Sequence, residues 1–353
     1  MTNTGGVLHE AYQRFHRSGP EWGEDQLTNH GPMAVEVLIR RGYVDVVDGW
    51  VDRYTRRLDP LPAADDRITD ENWAEALGAG RRVGDWTAYF GRQLAEQPWR
   101  DVLARWWPRL LPGIAAGTTH GVIRVGHVVR ALLAGAQHQQ ALDELAHGLA
   151  FWAARFRGVP GGDPGLTAPP AADAGAAMDA LPRVPDQTGN VASRFGQLAR
   201  MAAWPRALAA LGPAADPERT RATLTDLVTA ATLRYLRYGH ASPVLLVHTA
   251  TAPNAVLHTL PALPRELWAP SLSAVWTASA AIHAGWAPAD AAPRAVLPAA
   301  PDGPDAAAEV VARAVEHGDE HVIKFTDTAA EVYTRTGHSD ALAAAVRITT
   351  LID

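Results

Sequence analysis

Apolar residues recur at helical spacing along almost the whole chain, and no convincing run of alternating β-branched residues bounded by hairpin turns interrupts them. This periodicity predicts an all-α fold, a single large multi-helix domain of antiparallel packed helices over 1–353, with loops or a lid at 158–190 and 287–304. No fixed-period repeat indicates a solenoid.

Punctuation by proline, glycine and capping residues sets the expected elements. A short amphipathic segment from Leu8 to Phe15 leads into a loop from Ser18 to Asp25, and a helix beginning near Asn29 stops at Gly42. The segment Val44 to Leu58 is helical and ends before Pro60. A helix from Thr119 to Leu133 carries Gly121 and Gly126 in its interior, each costing about 1 kcal/mol against alanine, so something must approach closely there. Gln137 to Phe156 follows as a further helix, then a Gly/Pro-rich stretch from Gly158 to Pro170. Asp216, Pro217 and Glu218 form an N-cap, a first-turn proline and a first-turn acid for a helix that Gly239 ends. Helices are expected over Pro243 to Leu260, Ser271 to Ala284 and most of Ala306 to Ile352.

Composition removes several kinds of chemistry. The chain has no cysteine, which excludes disulfides, thiolate metal sites, iron–sulfur clusters and cysteine nucleophiles, and leaves oxygen and imidazole groups as metal ligands. A net charge of −6 without an arginine-rich run argues against nucleic acid as a partner. No apolar stretch reaches membrane-spanning length and the amino terminus does not read as a secretory signal, so a cytoplasmic protein without a membrane partner is expected. Twelve tryptophans supply large surfaces for core packing or pocket walls.

Fourteen histidines direct attention to imidazole chemistry. His9, His16, His138, His147, His258, His283, His317 and His338 stand in polar surroundings or near helix ends and read as ordinary surface or capping residues. Five more sit in more demanding contexts. His30 lies in Asn29-His30-Gly31-Pro32 at a helix start. His120, Arg124 and His127 share one face of an apolar helix, through separations of four and seven residues. His248 follows the apolar run Val244 to Val247, and His321 and Lys324 are helix neighbours separated by Val322 and Ile323. Buried imidazole and amine groups need partners, so these stripes are either structural hydrogen-bond networks or ligand sets.

Taken in this order, four segments resemble the questin oxidase-like family, whose fungal members oxidatively open anthraquinone rings. They are Asn29-His30, Thr119 to Arg130, Val247-His248-Thr249-Ala250-Thr251 and His321-Val322-Ile323-Lys324. The resemblance covers most of the chain. It implies a non-haem ferrous iron held by four histidines and by a lysine carboxylated by carbon dioxide, Lys324 being the matching lysine. Apolar burial favours that modification, because the amine must lose its proton to attack carbon dioxide.

The candidate ligands are then His30, His120, His127, His248, His321 and Lys324. All six together would leave no open position on an octahedral metal. His120 and His127 are separated by about 10.5 Å along a helix axis, so His127 is the ligand to set aside, as a proton donor or substrate contact, with Arg124 steadying a phenolate or the carbamate.

The implied function is oxidation of an aromatic polyketide by dioxygen with ring carbon–carbon cleavage, and an external reductant such as NADPH is compatible with it. No strand–glycine loop–helix fingerprint for a dinucleotide or flavin is present. Two alternatives stay open, a non-catalytic small-molecule-binding protein and a zinc hydrolase or isomerase, since imidazole ligands alone do not separate zinc from iron.

Overall fold

A computed structural model describes residues 4–24, 26–160, 168–212, 214 and 216–353. Among these the protein is all-α, with one two-stranded antiparallel sheet that pairs Glu21–Trp22 with Leu27–Thr28 and was not legible in the hydropathy pattern. No described helix is long and apolar enough to cross a membrane. Residue contacts group the chain into two compact units, Met1–Gly158 with His258–Pro264, and Val159–Leu257 with Arg265–Asp353. Each is described by itself, with numbers given to helices of nine residues or more.

The first unit contains α1 (Thr4–Phe15), α2 (Gly31–Arg40), α3 (Val47–Thr55), α4 (Val83–Glu96), α5 (Trp99–Leu110), α6 (His120–Leu133) and α7 (Gln139–Ala154). Helix α7 is central and packs against α1, α4, α5 and α6. The tryptophans serve mainly as core. Trp86 stacks on Phe90 at 5.5 Å between ring centroids and meets Trp106 edge-on at the same separation, and Trp86, Trp106, Trp107 and Trp152 are all fully buried.

Gly42, with φ at +87°, follows the end of α2 in the left-handed region that glycine enters without steric cost. Gly121 has a different purpose. A Cβ there would lie 2.8 Å from Trp152 Cβ and 2.9 Å from its Cα, so the glycine lets α6 and α7 approach backbone to side chain.

The second unit contains α8 (Pro217–Tyr238), α9 (His248–Thr259), α10 (Trp268–Trp286), α11 (Ala306–His317), α12 (Glu320–Thr336) and α13 (Ser339–Thr349), the last residues of α9 clustering with the first unit. Asp216 caps α8 as its residue type predicts, accepting from the Arg219 N–H at 2.7 Å. Gly239 ends α8 without a left-handed backbone; a side chain there would collide with the Tyr235 ring, 2.9 Å away. The expected helix Pro243 to Leu260 is broken at Val247 into Pro243–Leu246 and α9. Pro253 cannot donate to the Thr249 carbonyl within α9, and the Ser279 hydroxyl from α10 reaches that carbonyl instead at 3.4 Å.

Of the two expected loops, 287–304 contains only the short turn Arg294–Val296, whereas 158–190 carries the helix Ala174–Asp179, with Asp173 as its N-cap. Residues 161–167 lie outside the described part, so the lid reading of that stretch does as well.

Gly121→Ala tests the packing argument. Intrinsic propensity favours alanine by about 1 kcal/mol, whereas overpacking against Trp152 costs about 1–3 kcal/mol, and the contact is with main-chain and Cβ atoms that have little room to yield. The expected outcome is a lower unfolding midpoint in denaturant; a midpoint raised by the substitution would show that α6 and α7 are not held at this distance.

Candidate functional site

In the first unit the segment before α2 is held from both sides. Asn29 is fully buried; its Nδ2 donates to the Gly19 carbonyl and its Oδ1 accepts from the Gly31 N–H, each at 3.0 Å. The His30 N–H donates to the Tyr54 hydroxyl at 2.6 Å, and the Phe15 ring occupies the space a side chain at Gly31 would need. These contacts leave the His30 ring at the head of α2 facing the start of α6.

There the chain does something costly. Gly117, Thr118 and Thr119 have φ of +52°, +55° and +72° in succession, and a β-branched residue in that region costs about 1–3 kcal/mol. The turn aims His120, the first residue of α6, at His30. Their Nε2 atoms are 2.6 Å apart, and both residues are buried. His120 Nδ1 contacts the Gly117 carbonyl, which requires the proton on Nδ1 and directs the Nε2 lone pair toward His30. The sequence reading missed this turn; the visible signal was two threonines after a glycine, directly before a histidine.

Beyond His120 the polar face of α6 continues as expected, its side chains paired with carboxylates of α7 and α2. Arg124 makes a two-pronged ion pair with Glu144 of α7, Nε to Oε1 at 2.5 Å and Nη2 to Oε2 at 2.8 Å. His127 donates from Nδ1 to Glu36 Oε2 at 2.8 Å, and Arg130 donates from Nε to Glu36 Oε1 at 2.9 Å. Glu36, on α2, was not singled out from the sequence. His127 is thereby held by a carboxylate and is not part of the His30–His120 pair. Burial alone would push the Glu36 carboxyl up, but Arg130 and His127 outweigh it and hold its pKa at about 2.

In the second unit Asp319 caps α12, its Oδ1 accepting from the N–H groups of His321 and Val322 at 2.8 and 3.1 Å. The same oxygen lies 3.4 Å from His321 Nδ1. Asp319, Glu320 and His321 each place a ligand atom within 4.8 Å of the others. One turn on, Lys324 is 3% exposed, and its pKa is drawn down from 10.5 to about 7 by burial, against the opposing pull of Glu320 and Asp319. Lys324 is also the only lysine among the 32 basic residues, a signal plainly present in the sequence and passed over. His248, at the start of α9, is buried as its apolar context predicts.

Two histidines read as ordinary surface or capping groups are instead buried. His147 lies in α7 with its Nε2 at 3.2 Å from His16 Nδ1, and His283 lies in α10 with its pKa lowered to about 3 by burial, Arg234 and Arg183. A periodic stripe does not show which helix face a neighbour will cover. His138 does cap its helix, accepting from the Ala141 N–H at 3.2 Å.

No protein-family model matches this chain, and no curated protein is significantly similar to it.

Replacing Glu36 by glutamine leaves Arg130 and His127 without their counter-charge, and breaking a buried pair of this kind costs about 3–5 kcal/mol. The native carboxyl, with its pKa lowered from 4.5 to about 2, contributes stability that is present above the unfolded value and lost as pH falls through this window. Denaturant unfolding of both proteins from neutral pH downward is expected to show a large gap that narrows from pH 4.5 toward 2. A gap independent of pH would contradict the assignment.

Proposed function

We propose that the protein is a metal-dependent oxidoreductase that uses dioxygen to oxidise an aromatic polyketide or related small molecule, with cleavage of a ring carbon–carbon bond. The observation that carries this reading is the buried His30–His120 pair, two imidazole nitrogens converging at 2.6 Å with the His120 tautomer set by a main-chain carbonyl. That is the arrangement by which metal-binding histidines are oriented, and the absence of cysteine leaves imidazole and oxygen donors for the purpose. The strained turn at Thr118 and Thr119 supports it, because backbone cost of this size persists where function requires it.

His30 and His120 are the ligands of the first unit in this reading. Of the residues the resemblance adds, His248, His321 and Lys324 are each buried in the second unit, and Lys324 fits carboxylation by its own chemistry. An amine with a pKa near 7 is substantially neutral at physiological pH and can add carbon dioxide, becoming an anionic oxygen donor.

Bound ferrous iron would supply the activation of dioxygen, and the chain supplies the rest. His127, held by the ionised Glu36, is placed to exchange a proton through its other ring nitrogen, and the Arg124–Glu144 pair keeps a guanidinium inside a dry interior.

Elemental analysis of protein purified without chelators or affinity metals tests the proposal. About one iron per chain, lost in His30→Ala and His120→Ala while folding is retained, is the expected result. Zinc in its place moves the reading to hydrolysis, and a folded protein that neither holds nor takes up metal overturns it.

Lys324 is tested separately with carbon-13-labelled bicarbonate. A single carbamate resonance from the side chain is expected, and because the chain has no other lysine, its loss in Lys324→Met assigns it without ambiguity. A wild-type spectrum with no carbamate signal contradicts the modification.

A further inference from the structure

Four histidines outside the ligand set meet along one seam of the first unit, where α1 lies on α7. The rings of His9 and His138 are 5.2 Å apart between centroids, and His16 meets His147 edge-on at 5.1 Å, with His147 Nε2 3.2 Å from His16 Nδ1. Between these pairs along α1, Gln13 Oε1 accepts from Gln140 Nε2 at 3.2 Å, and the Tyr12 ring lies 6.5 Å from that of His138.

Each pair requires a neutral imidazole. His138 is the N-cap of α7, and its Nδ1 lone pair accepts from the Ala141 N–H at 3.2 Å, so its one proton stands on Nε2. A second proton would occupy Nδ1 and remove the cap. In the His16–His147 contact one ring donates and the other accepts; once both are imidazolium, two N–H groups point at each other. Like charges then face each other in both pairs.

The surrounding charges do not relieve this. Among the described residues no carboxylate pairs with any of the four rings. His147 is buried, and α6 presents it with Arg124, whose counter-charge Glu144 is already engaged. On α2, Glu36 is taken by His127 and Arg130. On α1, Glu10 is exposed and Arg14 pairs with Asp52 of α3. Helices α4 and α5, which also pack on α7, engage Asp85 with Arg82 and Arg105 with Gln93, and on α7 itself Asp143 accepts from Gln139. Burial, with Arg124 and His16 beside it, holds His147 well below its ordinary value, and burial with His9 holds His138 below its own.

We propose that this seam is an acid-operated latch, in which protonation of the histidine acceptors frees α1 from α7 in mildly acidic solution. Out of the seam these imidazoles titrate in water near about 6.5, whereas docked they take up protons only at lower pH. Their contribution to docking is therefore complete above about pH 6.5 and is lost progressively as pH falls below it. Leu8, Ala11, Tyr12 and Phe15 are buried and add docking that does not vary over this range, so the histidines tip a balance set by apolar contact.

The latch bears on the segment at the head of α2. The Phe15 ring of α1 fills the space beside Gly31 and meets Tyr54 edge-on at 6.1 Å, and the Tyr54 hydroxyl accepts the His30 N–H. Freeing α1 withdraws a support of His30, whatever His30 binds, and the inference stands without the functional reading above.

Hydrogen–deuterium exchange of the full-length chain from about pH 7.5 to about pH 4, corrected for the intrinsic pH dependence of amide exchange, tests it. In the wild type, protection of the α1 amides is expected to fall several-fold with a midpoint between about pH 5 and 6.5, while α4 and α5 keep theirs. The double variant His138→Asn/His147→Gln keeps a capping acceptor and a neutral partner for His16 at every pH. Its α1 protection is expected to stay level through the same window.

A level wild-type profile overturns the inference, and so do equal falls in wild type and variant. A common fall across α1, α4 and α5 overturns it as well, being acid unfolding of the whole unit. Should the variant not fold, the wild-type midpoint decides: a value at or below about pH 4.5, where carboxylates titrate, overturns the imidazole latch.

Discussion

Charged and imidazole side chains carried into an apolar interior must each find a partner, and the first unit is arranged around that obligation. One face of α6 bears His120, Arg124, His127 and Arg130, and each is answered from a neighbouring helix: His30 at the head of α2, Glu144 on α7, and Glu36 on α2 for the last two. An unpaired charge in such a place costs several kcal/mol, so these contacts constrain helix register as well as stability. Gly121 permits the close approach of α7 that the Arg124–Glu144 pair also requires.

Pairing on this scale distributes chemical character along a single helix. His120 has one nitrogen at a main-chain carbonyl and the other facing His30. His127, seven residues on, has a carboxylate partner. Arg124, between them, retains a buried nitrogen with nothing to bind. Three side chains of one stripe thus acquire three different environments through partners supplied by other helices.

The second unit reaches a related end by different means. The Asp319 cap orients the start of α12, so that His321 and Lys324 enter the interior on adjacent turns. Lys324 is held by burial close to the point where its proton is lost, with Glu320 and Asp319 opposing the shift. In a chain whose other side-chain cations are all arginine, this one position uses the basic group that can become a nucleophile at neutral pH.

Much of this was legible in the sequence, for identifiable reasons. Helical class, the Asp216 cap, the end of α2 near Gly42, the close approach at Gly121 and the burial of His248 and Lys324 follow from local pattern, because capping, backbone freedom and apolar periodicity act over a few residues. The break at Val247, the burial of His147 and His283, the left-handed turn at Thr118 and Thr119, and the partners Glu36 and Glu144 were decided by tertiary structure. The pairings depend on residues far away in the chain, as His30 lies 90 positions from His120. The sequence by itself determined which side chains would have to be buried in need of a partner; only the packing of the helices decided which partner each received, because hydrogen bonds and ion pairs are settled by proximity in space and leave no periodic trace along the chain.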